Sequence, residues 1–142
     1  FKSQDDHAFG YTPDTAYFTL DGMFRQRLKK IATELTLNHL IHYNYHPKWK
    51  IPMAPEAYRR DLSLFGDQYS NFNAGKILLY LEGLAGLYYS IPDKQLTLQP
   101  ALPKAWDWME LRLPIAGQWT QISYRHDGVQ TSGSPFPVVV LE

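Results

Sequence analysis

The stretch Leu-Thr-Leu-Gln-Pro-Ala-Leu-Pro-Lys-Ala-Trp-Asp-Trp-Met-Glu-Leu-Arg-Leu-Pro-Ile, residues 96–115, shows where the hydrophobic pattern of the chain changes. Before Pro92, apolar residues recur at helical spacing. After it they alternate with polar residues, as is typical of strands. Strands are predicted over Gln95–Leu98, Met109–Ile115, Trp119–Arg125 and Val138–Leu141, with a hairpin turn at Ala116-Gly117. The sequence therefore predicts an α+β chain, with a helical segment over residues 1–92 and a small antiparallel β-sheet or sandwich over residues 93–142.

Two long helices are predicted before this β-domain. The first runs from about Gly22 to Tyr43, with Asp21 as its N-cap. Its apolar stripe has helical spacing and comprises Phe24, Leu28, Ile31 and Leu35. The second runs from about Asn73 to Tyr88 and is apolar on most sides. A short helix from Pro55 to Asp61 is possible within the otherwise irregular connection over residues 46–72.

The second helix carries more apolar surface than two helices and a small sheet can cover. One interpretation is that this surface packs against the rest of a larger helical assembly or an oligomeric partner. The other is that the sheet lies directly on the two helices as a compact α+β domain. The pattern alone leaves both interpretations open.

Composition excludes several classes of partner. The 14 basic and 14 acidic side chains cancel, so we expect neither nucleic acid nor an anionic membrane surface as a partner. No apolar run reaches the roughly 18 residues that a membrane-spanning helix needs. The chain has no cysteine, which excludes disulfides and thiolate chemistry.

Three histidines, His39, His42 and His46, recur at spacings of three and four residues. A metal site would need all of them on one regular helix, and Pro47 disfavours helical geometry at His46. The sequence favours the other explanation, that they are polar residues near a helix end, where a protonated imidazole is favourable. We expect no metal and no cofactor.

A polar cluster, Asp-Gln-Tyr-Ser-Asn-Phe-Asn-Ala-Gly-Lys, residues 67–76, precedes the second helix. An asparagine here can serve as the helix N-cap. The free backbone N–H groups of a helix N-terminus, with amide side chains beside them, also suit a ligand with hydroxyl or phosphate groups.

Two carboxylates accompany this aromatic and polar region. Cleavage of a glycosidic bond needs a pair of carboxyl groups, one as the acid and one as the base or nucleophile. Glu56 and Asp67 each fit one member of such a pair. The residues alone nevertheless favour structural roles, with Glu56 as a first-turn acid that complements a helix dipole and Asp67 as a turn residue.

The segments Pro-Glu-Ala-Tyr (55–58) and Tyr-Ser-Asn-Phe-Asn-Ala-Gly-Lys-Ile-Leu (69–78) together resemble the last part of the (α/α)6 toroid of inverting sugar-cleaving enzymes such as glucoamylases and trehalases. Residues 96–115, with their Leu-Pro-x-x-Trp turn, are similar to the segment that follows the toroid in maltose-phosphorylase-like and rhamnosidase-like enzymes. This resemblance covers roughly residues 50–125. It implies that two or three helices from the end of such a toroid precede the β-domain.

The resemblance also implies roles for individual residues. Glu56 matches the catalytic base of glucoamylases, and Asp67 is the alternative base. The sugar would be held by Trp49, Tyr58, Tyr69, Asn71 and Asn73. The general acid of such enzymes comes from an earlier helix, which has no counterpart here. We therefore expect the C-terminal portion of a glycoside hydrolase, inactive alone, whose partners are a carbohydrate and the rest of the enzyme or an oligomeric partner.

Two other functions remain open at this point. The chain can be a non-catalytic carbohydrate-binding or structural module. It can also come from a glycoside phosphorylase, with phosphate at the helix start near Asn73. The sequence does not indicate a compartment.

Overall fold

The computed structural model describes residues 13–45, 55–58, 64–68 and 70–141. Within these residues the chain forms three α-helices, one π-helical segment and eight strands, which confirms the α+β class. The chain divides into two compact units, Phe1–Leu79 and Tyr80–Glu142. The division into domains at residues 92 and 93 stays a prediction.

The first predicted helix is two helices, α1 (Pro13–Arg25) and α2 (Lys29–Tyr45). The prediction of one helix is wrong because α1 ends in a Schellman motif. Arg27 has a φ of 62°, its N–H donates to the carbonyl of Phe24, and the N–H of Leu28 donates to that of Met23. Asp21 is not an N-cap but lies inside α1, where its carboxylate accepts a 2.7 Å bond from Arg25.

The predicted apolar stripe of this region is also only partly correct. Phe24 is buried, but Leu28, Ile31 and Leu35 are exposed. Among the α2 side chains that the structure describes, residues 29–40, the buried ones are instead Ala32, Thr36, His39 and Leu40. Helix α1 contacts both α2 and the third helix, α3 (Ser70–Leu78). Thus none of the described residues of this unit covers the apolar row formed by Leu28, just before α2, and by Ile31 and Leu35 on α2.

The predicted short helix from Pro55 to Asp61 is wrong. Residues Pro55–Tyr58 form strand β1, which pairs antiparallel with β2 (Leu64–Gln68). The connection over residues 46–72 therefore contains a hairpin. Local sequence favoured a helix start at the proline, whereas the partner strand decides the conformation, as is usual for strands.

The second predicted helix ends earlier than its apolar run suggested. After α3 the chain continues as a π-helix, Leu79–Leu84, and then turns into strand β3 (Leu87–Ser90). The turn needs Gly86, which has a φ of 58°. A Cβ at Gly86 would overlap the carbonyl oxygen of Gln99. The apolar residues at 87 and beyond therefore belong to a sheet.

Two three-stranded sheets form the second unit. In the first, β4 (Gln95–Leu98) pairs antiparallel with β3 and parallel with β8 (Val138–Val140). The second is a meander of β5 (Trp108–Ile115), β6 (Gln118–Arg125) and β7 (Gly128–Ser132). The predicted hairpin turn at Ala116-Gly117 is confirmed, and both residues have positive φ, as a two-residue type I′ turn requires.

The inner faces of the two sheets share one apolar core. The first sheet contributes Leu87, Leu96 and Leu98, and the second contributes Met109, Ile115, Ile122 and Tyr124. Leu111 and Leu113 of β5 pack against the same core, and Thr120 of β6 is buried in the same phase. The residues that alternate with this inner set along β5 and β6 lie on the outer face. The unit is therefore a small sandwich with one buried and one solvent-facing surface on the β5–β6–β7 sheet.

Candidate functional site

Both predicted catalytic residues lie in the β1–β2 hairpin. Glu56 is in β1 and Asp67 is in β2. Pro55 pairs with Gln68 and Ala57 with Phe65, so Glu56 alone on β1 stands opposite two residues on β2, Gly66 and Asp67. Such β-bulges are over-represented next to active sites. The backbone thus brings the two predicted carboxylate residues to one irregular point of one hairpin.

The N-terminus of α3 follows this point directly. Strand β2 ends at Gln68 and α3 begins at Ser70, so Asn71 and Asn73 lie in the first helical turn. This turn presents backbone N–H groups that have no partner within the helix. Because Gln68 pairs with Pro55, the helix start and the bulge lie at the same end of the hairpin.

Of the three aromatic residues predicted to bind sugar, only Tyr58 is among the described residues. Tyr58 is at the far end of β1, where it pairs with Leu64. Trp49 and Tyr69 lie outside the described residues. The structure therefore brings together Glu56, Asp67 and the start of α3, and it places Tyr58 at the other end of β1.

Lys76 is the cation on α3 and lies in its last turn. Burial lowers the pKa of its ammonium group. Because the chain continues from α3 into the π-helix Leu79–Leu84, Lys76 does not lie at a free helix C-terminus. The sequence analysis did not place Lys76 in the site.

The described residues contain neither a cluster of metal-ligating side chains nor a helix that could span a membrane. Among them, no three His, Cys, Asp or Glu side chains gather in a way that could hold a metal ion. His39 is buried on α2, whereas the side chains of His42 and His46 lie outside the described set. None of the helices in this part of the chain is long and apolar enough to cross a membrane.

Comparison with known families bears on the second unit. Residues 90–140 match the family model described as glycosyl hydrolase family 65, C-terminal domain. Over this segment the chain is similar to the C-terminal part of a family 65 enzyme. No curated protein and no solved structure gives a significant match.

The family 65 match confirms the recognition made from the sequence at the level of the β-domain. The matched segment contains residues 96–115, which resemble the corresponding part of maltose-phosphorylase-like enzymes. Residues 90–140 are thus similar to a module of a family of glycoside-cleaving enzymes. The toroid assignment of the helical segment and the hydrolytic reaction stay predictions.

One set of polar and aromatic residues escaped the sequence analysis. Trp108 and Trp119 lie on the outer face of the β5–β6–β7 sheet, and each side chain is 61% exposed. The signal was present in the sequence, because Trp108 alternates with buried Met109 and shares its phase with Glu110 and Arg112. The alternation along β5 predicts that Trp108 faces solvent, whereas the amino-acid composition gives only the number of tryptophans.

Proposed function

We propose that this chain is the C-terminal portion of an enzyme that cleaves glycosidic bonds with inversion of the anomeric centre. The family 65 match over residues 90–140 is the observation that supports this proposal. The first unit adds support because its backbone places Glu56 and Asp67 at one bulge beside a helix N-terminus.

A surface of the first unit supports the idea that the chain works within a larger enzyme. Three exposed apolar residues follow one another at spacings of three and four residues: Leu28, Ile31 and Leu35. They form one apolar row from just before α2 along its first half. Apolar rows of this kind pack against neighbouring helices in helical assemblies. Further helices of the enzyme would cover this row.

The proposed chemistry divides the inverting reaction between two parts of the enzyme. Glu56 removes a proton from water, whose oxygen attacks the anomeric carbon. A carboxylic acid from another part of the enzyme protonates the leaving oxygen. Asp67, Tyr69, Asn71 and Asn73 hold sugar hydroxyls, while Trp49 and Tyr58 provide aromatic surface. Asp67 is the alternative base.

Phosphorolysis is the second candidate. It is favoured because the segment resembling maltose-phosphorylase-like enzymes lies inside the region that matches family 65. Phosphate would then replace water as the nucleophile. The first turn of α3, with Asn71 and Asn73, would supply backbone N–H donors to it.

The test uses the full-length enzyme and a panel of disaccharides, with and without inorganic phosphate. Proton NMR reads whether the product is a free sugar or a sugar 1-phosphate, and which anomer forms first. Hydrolysis predicts a free sugar of inverted configuration, independent of phosphate. Phosphorolysis predicts product only when phosphate is present.

Two results would contradict the proposal. Absence of cleavage under both conditions, with sugar binding retained, would make the chain a non-catalytic binding module. Retention of the anomeric configuration would contradict inversion and the assignment of Glu56 as a base that acts on water. Glu34→Gln is the control variant, because Glu34 is an exposed carboxylate on α2.

A further inference from the structure

The outer face of the β5–β6–β7 sheet contains a small concave site at the end where β6 turns into β7. Its volume is about 220 Å³ and it is lined by Ser123, Arg125, Asp127, Gly128, Val129 and Gln130. Pockets for drug-sized ligands occupy about 300–1,000 Å³. The size therefore suits one ring of a larger, partly exposed ligand.

The lining of this cavity is polar and carries both signs of charge. It combines a guanidinium at Arg125, a carboxylate at Asp127 and an amide at Gln130. In the described part of the chain, no ion pair or side-chain hydrogen bond joins Arg125 or Asp127 to another residue. These groups can therefore donate to and accept from a ligand. Because the charges offset each other, they favour a neutral ligand with many hydroxyl groups over a phosphate or a nucleic acid.

An exposed aromatic residue, Trp108, lies next to one of the residues that line the cavity. Trp108 on β5 pairs directly with Arg125 on β6, and side chains opposite each other in antiparallel strands lie about 4.5–5.5 Å apart at Cβ. Trp108 is 61% exposed. An exposed indole beside hydrogen-bonding groups suits the apolar C–H face of a sugar ring.

The second exposed tryptophan, Trp119, has a different environment. Trp119 is also 61% exposed and lies on the same outer face, but the guanidinium carbon of Arg112 lies 5.2 Å from the centroid of its ring. That geometry is a cation–π contact. Trp119 is also at the other end of β6, opposite Pro114. It is therefore an exposed tryptophan that does not adjoin the cavity.

We propose that the cavity between β6 and β7, together with the Trp108 ring, is a binding site for a neutral oligosaccharide. One sugar ring enters the cavity and bonds to Arg125, Asp127 and Gln130, and the next ring stacks on Trp108. The choice of ligand class rests on the proposed function, since the substrate of that function is a carbohydrate. The site has no catalytic role and would hold a sugar chain on the β-domain.

The test is affinity electrophoresis of the full-length enzyme in native gels that contain soluble starch, a β-glucan or a mannan, with a polysaccharide-free gel as reference. We expect retardation of the parent protein in at least one polysaccharide. Trp108→Ala should weaken that binding at least about threefold, because it removes the stacking surface. Trp119→Ala, the matched control with equal exposure, should leave the retardation unchanged.

Two further variants distinguish a loss of sugar binding from a loss of protein stability. Asp127→Asn and Gln130→Ala lie on the surface beside the turn and should also weaken retardation while leaving the thermal midpoint unchanged. The proposal is overturned if no polysaccharide retards the parent protein, or if Trp108→Ala and Trp119→Ala behave alike.

Measuring disaccharide cleavage on the same samples keeps the two proposals apart. An enzyme that cleaves but is not retarded contradicts the binding site alone. A protein that is retarded through Trp108 but cleaves nothing contradicts the proposed function alone.

Discussion

Glu56 and Asp67 lie across from each other in one hairpin, at the point where its regular pairing is interrupted. One residue of β1 stands opposite Gly66 and Asp67 of β2 there. A β-bulge changes the local twist and re-aims the residues around it. Because the backbone pairing puts Glu56 and Asp67 opposite each other, the two carboxylates should be tested as a pair.

Removing the carboxylate at position 56 should abolish most of the catalysis by the full-length enzyme. We expect Glu56→Gln to lower kcat by about 10²–10⁴-fold, the range typical of general acid–base catalysis. Asp67→Asn should mainly raise KM if Asp67 holds the sugar. Steady-state kinetics on the best disaccharide measure both effects, and Glu34→Gln should leave them unchanged. A larger loss of kcat in Asp67→Asn than in Glu56→Gln would reverse the two assignments.

Gly86 is expected to tolerate no side chain. Both Gly86→Ala and Gly117→Ala place a Cβ at positive φ, which costs about 1–2 kcal/mol. Only at Gly86 does the added Cβ also meet backbone, at the Gln99 carbonyl. Gly86→Ala should therefore destabilise the β-unit by about 1–3 kcal/mol more than Gly117→Ala. Urea unfolding followed by tryptophan fluorescence measures the difference, and equal losses would show that the Gln99 contact is easily relieved.

A glycine in place of Arg27 should increase the stability of the protein. Its φ of 62° is unfavourable for a residue with a Cβ, and glycine is the usual residue at this position of a Schellman motif. Arg27→Gly should raise the free energy of unfolding by up to about 1 kcal/mol. Lys30→Gly is the matched control in α2 and should lower it by about 1 kcal/mol. Thermal unfolding by circular dichroism distinguishes the two directions.

Tyr124 is buried in the sandwich core, and its hydroxyl has no hydrogen-bond partner among the described residues. A buried hydroxyl without a partner costs about 1–3 kcal/mol. Tyr124→Phe should therefore leave the free energy of unfolding at pH 7 unchanged or raise it. Tyr89→Phe, at an exposed position of β3, is the control and should change it by less than about 0.5 kcal/mol.

Because of Tyr124, folding stability should also depend on pH in the alkaline range. Burial raises the pKa of the Tyr124 phenol above its ordinary value, whereas an unfolded tyrosine ionises near pH 10. Above about pH 10 the unfolded chain therefore binds fewer protons than the folded chain, and folding stability falls as pH rises. Tyr124→Phe removes this loss. Urea midpoints at pH 7 and pH 10.5 should diverge in favour of the variant, and parallel changes would contradict the assignment.

The β-half of the fold could be predicted from the sequence because its signals are local. Alternation identified β4, β5, β6 and β8 within one residue of their bounds. Strand β7 was missed because Gly128–Ser132 carries one apolar residue. Strand β3 was missed because it continues an apolar helical run, and only the left-handed conformation at Gly86 ends that run.

The helical half was harder to predict because its elements depend on partners. The helix ends after Arg25 because Arg27 adopts a positive φ. No glycine or proline at this point of the sequence indicated a helix end. The β1–β2 hairpin depends on pairing between residues about ten positions apart, which no local propensity encodes. Glu56 and Asp67 were selected by residue type and by resemblance, and their meeting at one bulge could be seen only in the backbone.

Strand β8 has a consequence for biosynthesis. It adds to β4 as a parallel neighbour, although about 40 residues separate the two strands. Closing so long a segment is entropically costly, and contacts between distant residues slow folding. During translation the first sheet cannot be completed until residue 140 has left the ribosome, whereas the β5–β6–β7 meander can form earlier. The free edge of β4 is meanwhile open to pairing with other chains, so a molecular chaperone that covers exposed strands would act at this stage.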